Sequence, residues 1–186
     1  MADRDTQASE PAQGGAPDPS QLFAFPLDDF QLEAIDALNQ GHSVVVSAPT
    51  GSGKTLIGEY AIHRAMAHGQ KVFYTTPLKA LSNQKLRDFR EQFGAENVGL
   101  MTGDLSVNRD ASIVVMTTEI FRNMLYAEAD EHDDPLADVE AVVLDECHYM
   151  NDSQRGTVWE ESIIHSPPPV QLVALSATVA NAGQLT

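Results

Sequence analysis

The chain has 186 residues, 42% of them hydrophobic and 20% charged, so it has room for one ordinary globular domain. Its formal net charge of −16 excludes a broad basic surface for holding nucleic acid, and any contact with a strand must be local. No apolar run approaches the roughly 20 residues of a membrane span. The single cysteine cannot form an internal disulfide, which favours a reducing, cytoplasmic compartment.

The first 20 residues are polar and rich in proline, glycine, alanine and acids, with no hydrophobic segment typical of a secretion signal. Residues 1–20 are therefore predicted to form a disordered acidic tail, and residues 21–186 a single folded domain. A second acidic stretch, residues 128–140, holds seven acids and no lysine or arginine, which is typical of a solvated loop.

From Phe30 onward, short β-branched runs alternate with amphipathic stretches. This pattern predicts an α/β fold of three layers, a mostly parallel sheet with helices on both faces. The expected strands cover residues 43–47, 71–75, 98–101, 113–116, 141–144 and 171–175. The expected helices run from Phe30 to a stop at Gly41, from Lys54 to Gly69, from Pro77 to about Gln92, from Thr117 or Thr118 to about Ala127, and over 157–164.

A glycine-rich segment separates the first predicted strand from its helix, and it has the pattern of a Walker A phosphate-binding loop. Glycines let backbone amides curve round phosphates, while the following helix presents the positive end of its dipole. The lysine would supply a charge near the β- and γ-phosphates of ATP, and the last threonine a hydroxyl ligand for Mg²⁺. The loop consists of Ala48, Pro49, Thr50, Gly51, Ser52, Gly53, Lys54 and Thr55, and Ala48 stands where the general pattern has glycine.

Two acids, Asp145 and Glu146, follow the predicted strand 141–144 about ninety residues after the loop. A strand end beside a phosphate-binding loop places carboxylates next to the metal. We expect Asp145 to hold Mg²⁺ through water and Glu146 to position the attacking water. An acid pair at a strand end also arises by chance, and its weight comes from the Walker A loop.

The sequence 145–148, Asp-Glu-Cys-His, resembles motif II of the DExH-box helicases of superfamily two, in which alanine is usual at the start of the P-loop. Ser176, Ala177 and Thr178 resemble motif III of the same superfamily. Residues 145–161, with an Arg-Gly and a Trp-Glu-Glu after motif II, resemble the superkiller-type, exosome-associated RNA helicases. The resemblance implies the first RecA-like domain of such an enzyme, with ATP and Mg²⁺ as cofactors. It also implies that His148, Ser176 and Thr178 couple the nucleotide to the strand.

Two further residues resemble the Q motif of this superfamily, in which an aromatic ring stacks on adenine and an amide binds its edge. These are Phe25 and Gln31, which could equally be a core aromatic and a surface amide. Three loops resemble the strand-contacting motifs Ia, TGD and Ib, and simple helix capping is the alternative for each. Their residues are Thr76, Pro77, Lys79 and Asn83; Thr102 and Gly103; and Thr117, Thr118 and Glu119.

The resemblance implies an ATP-dependent RNA helicase, an ATP hydrolase that converts ATP and water to ADP and phosphate. RNA is favoured over DNA on this basis alone, and RNA-decay machinery is an implied partner. The family's second RecA-like domain, which carries an arginine finger, is not visible in this chain and would act in cis or in trans. Two alternatives stay open: a nucleotide- and RNA-binding module with negligible turnover, and the core of a DNA helicase.

Overall fold

The computed structural model of the chain describes residues 15–126, 134–148, 165–166 and 169–177. The described chain begins with a short helix α1, Pro19–Leu22, whose Asp18 side chain caps the backbone amide of Ser20. Helix α2, Asp29–Asn39, follows and has a capping box between Asp28 and Gln31. The same interaction stabilises the N-termini of both helices: a side-chain oxygen accepts a hydrogen bond from an amide that has no partner within the helix.

A seven-stranded sheet forms the centre of the described structure. In chain order its strands are β1 Val44–Ser47, β2 Lys71–Thr76, β3 Val98–Met101, β4 Ser106–Val107, β5 Ile113–Thr117, β6 Val139–Leu144 and β7 Gln171–Ser176. Their spatial order is β1-β7-β6-β2-β5-β3-β4, and every pairing is parallel except the antiparallel hairpin of β3 and β4. The expected mostly parallel α/β sheet is confirmed.

Helices cover both faces of this sheet, as the sequence predicted. Helices α3, Thr55–Ala67, and α4, Lys79–Phe93, pack with α2 on one face, where Tyr60 and Phe89 join the inward side chains Val72 and Tyr74. Helix α5, Thr118–Tyr126, lies on the other face, where Phe121 packs against side chains such as Phe73 and Val142. Successive residues of a strand point to opposite faces, so β2 contributes to both cores.

Some predicted boundaries differ from those found in the structure. The boundary predicted at residue 20 falls inside α1, and the Tyr60 hydroxyl donates to the Pro17 carbonyl oxygen at 3.1 Å, so the domain makes contacts before residue 20. Pro77 was expected to lie in the first turn of a helix, but α4 begins at Lys79 because Leu78 has an extended backbone. The predicted helix 157–164 and residues 128–133 of the predicted acidic loop lie outside the described residues.

Glu140 was assigned to the solvated acidic loop, and this assignment is wrong. It lies on β6, where its carboxylate accepts from the buried Arg64 guanidinium at 2.5 Å and faces the His68 ring at 2.7 Å. Arg64 also donates to the Leu38 carbonyl oxygen and to the Gln171 side chain. Burial of an arginine requires such partners, so this network ties α2, α3, β6 and β7 together at the sheet end away from the P-loop.

Among the described residues, no helix is both long enough and apolar enough to cross a membrane.

Candidate functional site

The predicted Walker A segment forms a loop between β1 and α3, as its strand–loop–helix pattern requires. Gly51 and Gly53 have φ angles of 83° and 79°, in the left-handed region that glycine adopts without a Cβ clash. Helix α3 begins at Thr55, so the positive end of its dipole faces the loop. The loop therefore has the backbone geometry that surrounds a phosphate group.

Lys54 is the charge of this loop, and no carboxylate of the described chain pairs with it. The residue is only 6% exposed and forms no ion pair with any residue of the described chain. It also precedes the N-terminus of α3, where the helix dipole disfavours a cation. A largely buried lysine beside a positive helix end calls for an anion, and a phosphate group fits this requirement.

Two hydroxyl groups near the carboxyl ends of the strands support the same interpretation. The Ser52 Oγ of the loop and the Thr75 Oγ1 of β2 are buried and find no hydrogen-bond partner in the described part of the chain. Buried hydroxyls are normally satisfied in a folded protein. The Thr55 hydroxyl and the Asp145 carboxylate are oxygen donors, the kind that Mg²⁺ prefers. The residues present therefore fit a magnesium–nucleotide complex.

Asp145 and Glu146 form a turn directly after β6, at the strand end where the sequence placed them. Strand β7, with motif III at its end, lies between β6 and the P-loop strand β1. The Asp145 amide donates to the Thr75 carbonyl oxygen at 3.0 Å, and Asp145 Oδ1 accepts from the Glu146 amide at 2.8 Å. Glu146 has a φ of 57°, an uncommon conformation for a side-chain-bearing residue. Such strain is typical of functional turns.

Two residues that sequence reasoning missed hold the second oxygen of Asp145. The Tyr74 hydroxyl donates to Asp145 Oδ2 at 2.7 Å, and the Lys85 ammonium lies 3.7 Å from the same oxygen. Burial raises the pKa of Tyr74 well above its ordinary value, and the Asp145 charge raises it further, so the phenol remains a donor. Tyr74 was expected only as a strand residue, and Lys85 lies two residues beyond Asn83, the last of the motif Ia residues, so neither belonged to a recognised motif.

His148 links motif II to motif III. Its Nδ1 accepts a hydrogen bond from the Ala177 amide at 3.1 Å, and its Nε2 lies 3.1 Å from Glu146 Oε2. A backbone amide can only donate, so Nδ1 carries no proton and the remaining ring proton sits on Nε2, from which it reaches Glu146. The ring thus joins the two motifs in the neutral form.

The P-loop joins this chain of contacts through β7. The Ala48 amide donates to the Ser176 carbonyl oxygen at 3.1 Å, and the next residue, Ala177, donates to His148. A continuous path of hydrogen bonds therefore runs from the start of the P-loop to the Glu146 carboxylate. The Ser176 hydroxyl donates to the Ala177 carbonyl oxygen, whereas Thr178 lies outside the described residues.

The two Q-motif residues have different environments. Gln31 is 3% exposed, and both ends of its amide are engaged: Oε1 accepts from the Asp28 amide at 2.9 Å, and Nε2 donates to the Gly53 carbonyl oxygen at 3.0 Å. Gln31 therefore fixes the P-loop to α2. Phe25 is 57% exposed and its ring lies 6.2 Å from that of Phe23, which leaves a face open to stacking.

The loops predicted to contact a strand lie at the carboxyl ends of β2, β3 and β5. Lys79 pairs with Asp104, so motif Ia and the TGD segment meet. The Thr76 hydroxyl is buried and shared with Ser82 at 2.7 Å and with the Leu78 carbonyl oxygen at 3.1 Å. Thr102 and Thr118 are also buried, while Pro77, Asn83 and Thr117 are half-buried and Gly103 and Glu119 are exposed.

Comparison with known proteins gives a consistent family. The DEAD/DEAH box helicase profile matches residues 28–185. The chloroplastic DExH-box ATP-dependent RNA helicase DExH15 of Arabidopsis thaliana is 58% identical over 88% of this chain and 14% of its own length. The antiviral helicase SKI2 of Saccharomyces cerevisiae is 53% identical over 89% of the chain and 12% of its own. The expected similarity to superkiller-type helicases is confirmed.

Solved structures support the fold. The crystal structure of the helicase MrfA bound to DNA and AMPPNP has a TM-score of 0.65 at 20% identity, over 87% of this chain and 25% of that one. The similarity supports the RecA-like architecture that the sequence predicted. In both kinds of comparison the chain spans a small part of the proteins it matches.

Proposed function

Because the chain belongs to the DEAD/DEAH box helicase family, we propose that it is the nucleotide-binding RecA-like domain of an ATP-dependent RNA helicase. The parent enzyme converts ATP and water to ADP and phosphate and couples this reaction to unwinding or translocation of an RNA strand. The observation that carries the proposal is Lys54, a residue only 6% exposed that precedes the N-terminus of α3 and has no ion pair within the described chain. It needs an anion, and the loop around it fits phosphate.

Each residue of the proposed site has a separate role. Lys54 and the amides after Gly51 bind the β- and γ-phosphates, while Thr55 and Asp145 hold Mg²⁺, the latter through water. The magnesium ion, when bound, neutralises charge on the phosphates. Glu146 orients the attacking water and accepts its proton. The ring of Phe25 stacks on adenine, and Gln31 binds its edge while it holds the Gly53 carbonyl oxygen.

The path from the P-loop through Ser176 and His148 to Glu146 supports a coupling role for motifs II and III. A shift of the P-loop on nucleotide binding would move the Ala48–Ser176 hydrogen bond and, through Ala177, the His148 ring. Since His148 donates to Glu146, the position of the catalytic carboxylate would follow. Thr178 belongs to this proposal on the resemblance alone.

RNA is the proposed strand, held by the loops at the carboxyl ends of β2, β3 and β5. Helix N-termini at α4 and α5 offer amides to phosphates, which suits a chain with a net charge of −16. The remaining parts of the proposal are a second RecA-like domain in cis or in trans, RNA-decay machinery as a partner, and a cytoplasmic location.

A salt titration tests the proposed mode of strand binding. Affinity of the chain for a fluorescent single-stranded RNA should fall gently with KCl, because each neutralised phosphate adds about 0.7 to the logarithmic slope and few cations are available. Lys79→Met should lower the slope by about 0.7, while Lys71→Met, at the opposite end of β2, should leave it unchanged. A steep slope in the wild-type protein, or tighter binding of the matched DNA strand, would contradict the proposal.

A further inference from the structure

Asp145 sits in a buried position that requires a positive partner. Its side chain is 5% exposed, and within the described chain Lys85 is the cation paired with it. Tyr74 and the Glu146 amide donate hydrogen bonds to the carboxylate, but neither carries a charge. A buried carboxylate without a counter-charge is costly, so the Lys85 ammonium at 3.7 Å stabilises the structure described here.

Two aromatic rings hold the Lys85 side chain in place. Its ammonium lies 5.2 Å from the centre of the Tyr74 ring and 5.6 Å from that of Phe89, within the range of cation–π attraction. The side chain is 21% exposed, so part of it reaches solvent. Lys85 can therefore leave Asp145 for water while its hydrocarbon stem stays packed on the two rings.

We propose that Lys85 is a stand-in cation: it neutralises Asp145 in the metal-free protein and is displaced when the magnesium–nucleotide complex binds. The inference rests on the proposed function, in which Asp145 holds Mg²⁺. Two positive charges compete for one carboxylate, and the divalent ion brings the nucleotide with it. Lys85 is thus a positioning residue, since it acts on the metal site through Asp145.

This exchange also connects the nucleotide site to the strand-binding surface. Lys85 belongs to α4, whose first turn carries Lys79 and whose second turn carries Asn83. In the metal-free protein the Lys85–Asp145 pair ties α4 to the turn after β6. Release of this pair on magnesium–nucleotide binding removes a contact that holds α4 in place. The affinity of the α4 N-terminus for an RNA strand would therefore depend on the bound nucleotide.

The sign of the effect of Lys85 on metal binding is fixed by linkage. An interaction present only in the metal-free protein weakens metal binding, so its removal strengthens binding. Loss of the ammonium also removes repulsion between two cations, which acts in the same direction. Tyr74 and the Glu146 amide still orient the carboxylate in the variant, so the site keeps its shape.

The test is a magnesium titration of the binding of a mant-labelled, non-hydrolysable ATP analogue to the 186-residue chain, followed by fluorescence. Lys85→Met keeps the stem and removes the charge, and it should lower the Mg²⁺ concentration for half-maximal binding by about threefold or more. The same variant should have a lower Tm in EDTA and a larger gain in Tm with magnesium and nucleotide. Lys85→Arg keeps the cation and should behave like the wild-type protein.

Lys71→Met is the matched control, because Lys71 is similarly exposed and pairs with Asp138 at 2.8 Å, at the other end of β2. It should leave the magnesium dependence unchanged. If Lys85→Met is too unstable to purify, Lys85→Gln carries the same test. An unchanged or higher magnesium requirement in the charge-free variant overturns the stand-in role while nucleotide binding by the wild-type protein stands. A wild-type protein that binds no nucleotide overturns the proposed function and the inference together.

Discussion

His63 is packed between aromatic rings beside the Q-motif segment. Its ring lies 6.3 Å from that of Phe23, edge-on, and 5.0 Å from that of Phe93. Burial lowers the pKa of His63 below its ordinary value, although the charge of Glu59 opposes the shift. The folded protein therefore prefers the neutral ring. This preference stabilises the fold above the pKa of the unfolded chain and is lost as the pH falls towards the folded value.

The stability of the protein should thus decline on acidification, in part through His63. We expect Tm to fall between pH 7.5 and pH 5.5, across an unfolded pKa of about 6.5. His63→Phe should flatten this decline because the ring no longer takes up a proton on unfolding. His42→Gln, an exposed position, serves as the control. Equal slopes of Tm against pH in the wild-type and His63→Phe proteins would show that His63 contributes nothing.

The residues at the site show what a single sequence can and cannot reveal. The Walker A loop and Asp145–Glu146 are local patterns with a strand before them, so their places in the fold could be predicted. Lys85 and Arg64 act through partners 60 and 76 residues away, and no local pattern marks such pairs. Glu140 looked like part of a solvated acidic run, because only its partner Arg64 on α3 reveals that its carboxylate is engaged.

The hairpin of β3 and β4 is the element that presents the TGD segment. A Cβ added at Gly99 would lie 2.0 Å from the Asn108 carbonyl oxygen and 2.9 Å from that of Val107. Asn108 itself has a φ of 48°, so the backbone there is already strained and has little room to move. Glycine at position 99 is therefore required for this close approach of two backbone segments.

Gly99→Ala should destabilise the protein by about 3 kcal/mol, the upper part of the usual range for overpacking, because the clash involves backbone. Thermal or urea unfolding measures the change. Gly103→Ala in the same hairpin is the control, since a Cβ there meets nothing within 4 Å. Similar unfolding midpoints for the two variants would mean that the hairpin opens easily and does not hold the TGD segment in place.

Elements with β-branched runs could be predicted, and short elements could not. The strands β3 and β5 lie within one residue of their predicted bounds, because buried parallel strands are continuous apolar runs. Strand β4 has only two exposed residues, so it has no apolar signal. Helix α1 has only four residues, which is too short for a periodic apolar pattern. Its capping residue Asp18 and its first residue Pro19 do not predict a helix without such a pattern.

In the proposed mechanism this chain forms one side of the catalytic site, and a second domain forms the other. The chain spans 14% of the length of the Arabidopsis relative, and in the proposed mechanism a second RecA-like domain supplies an arginine finger. Such a finger contributes roughly 10³–10⁵ in rate in related phosphoryl-transfer sites. Phosphate release by the chain alone, with saturating ATP, magnesium and single-stranded RNA, should therefore be very slow.

Addition of a second RecA-like domain, in cis or as a separate polypeptide, should restore RNA-stimulated phosphate release. The matched control is the same pair with Glu146→Gln, which should bind nucleotide normally and hydrolyse it slowly because the amide cannot accept a proton. Turnover by the chain alone at about 1 per second or faster, the usual range of complete enzymes, would rule out the two-domain mechanism.

The central claim is that Lys54 and its loop bind the phosphates of ATP, and calorimetric titration with magnesium and a non-hydrolysable ATP analogue tests it most directly. Lys54→Ala should reduce affinity by about a hundredfold or more, since the variant loses a charged contact in a buried site. Its Tm should stay close to that of the wild-type protein, and Lys71→Ala should bind nucleotide normally. Nucleotide affinity that is the same in Lys54→Ala as in the wild-type chain would contradict the account.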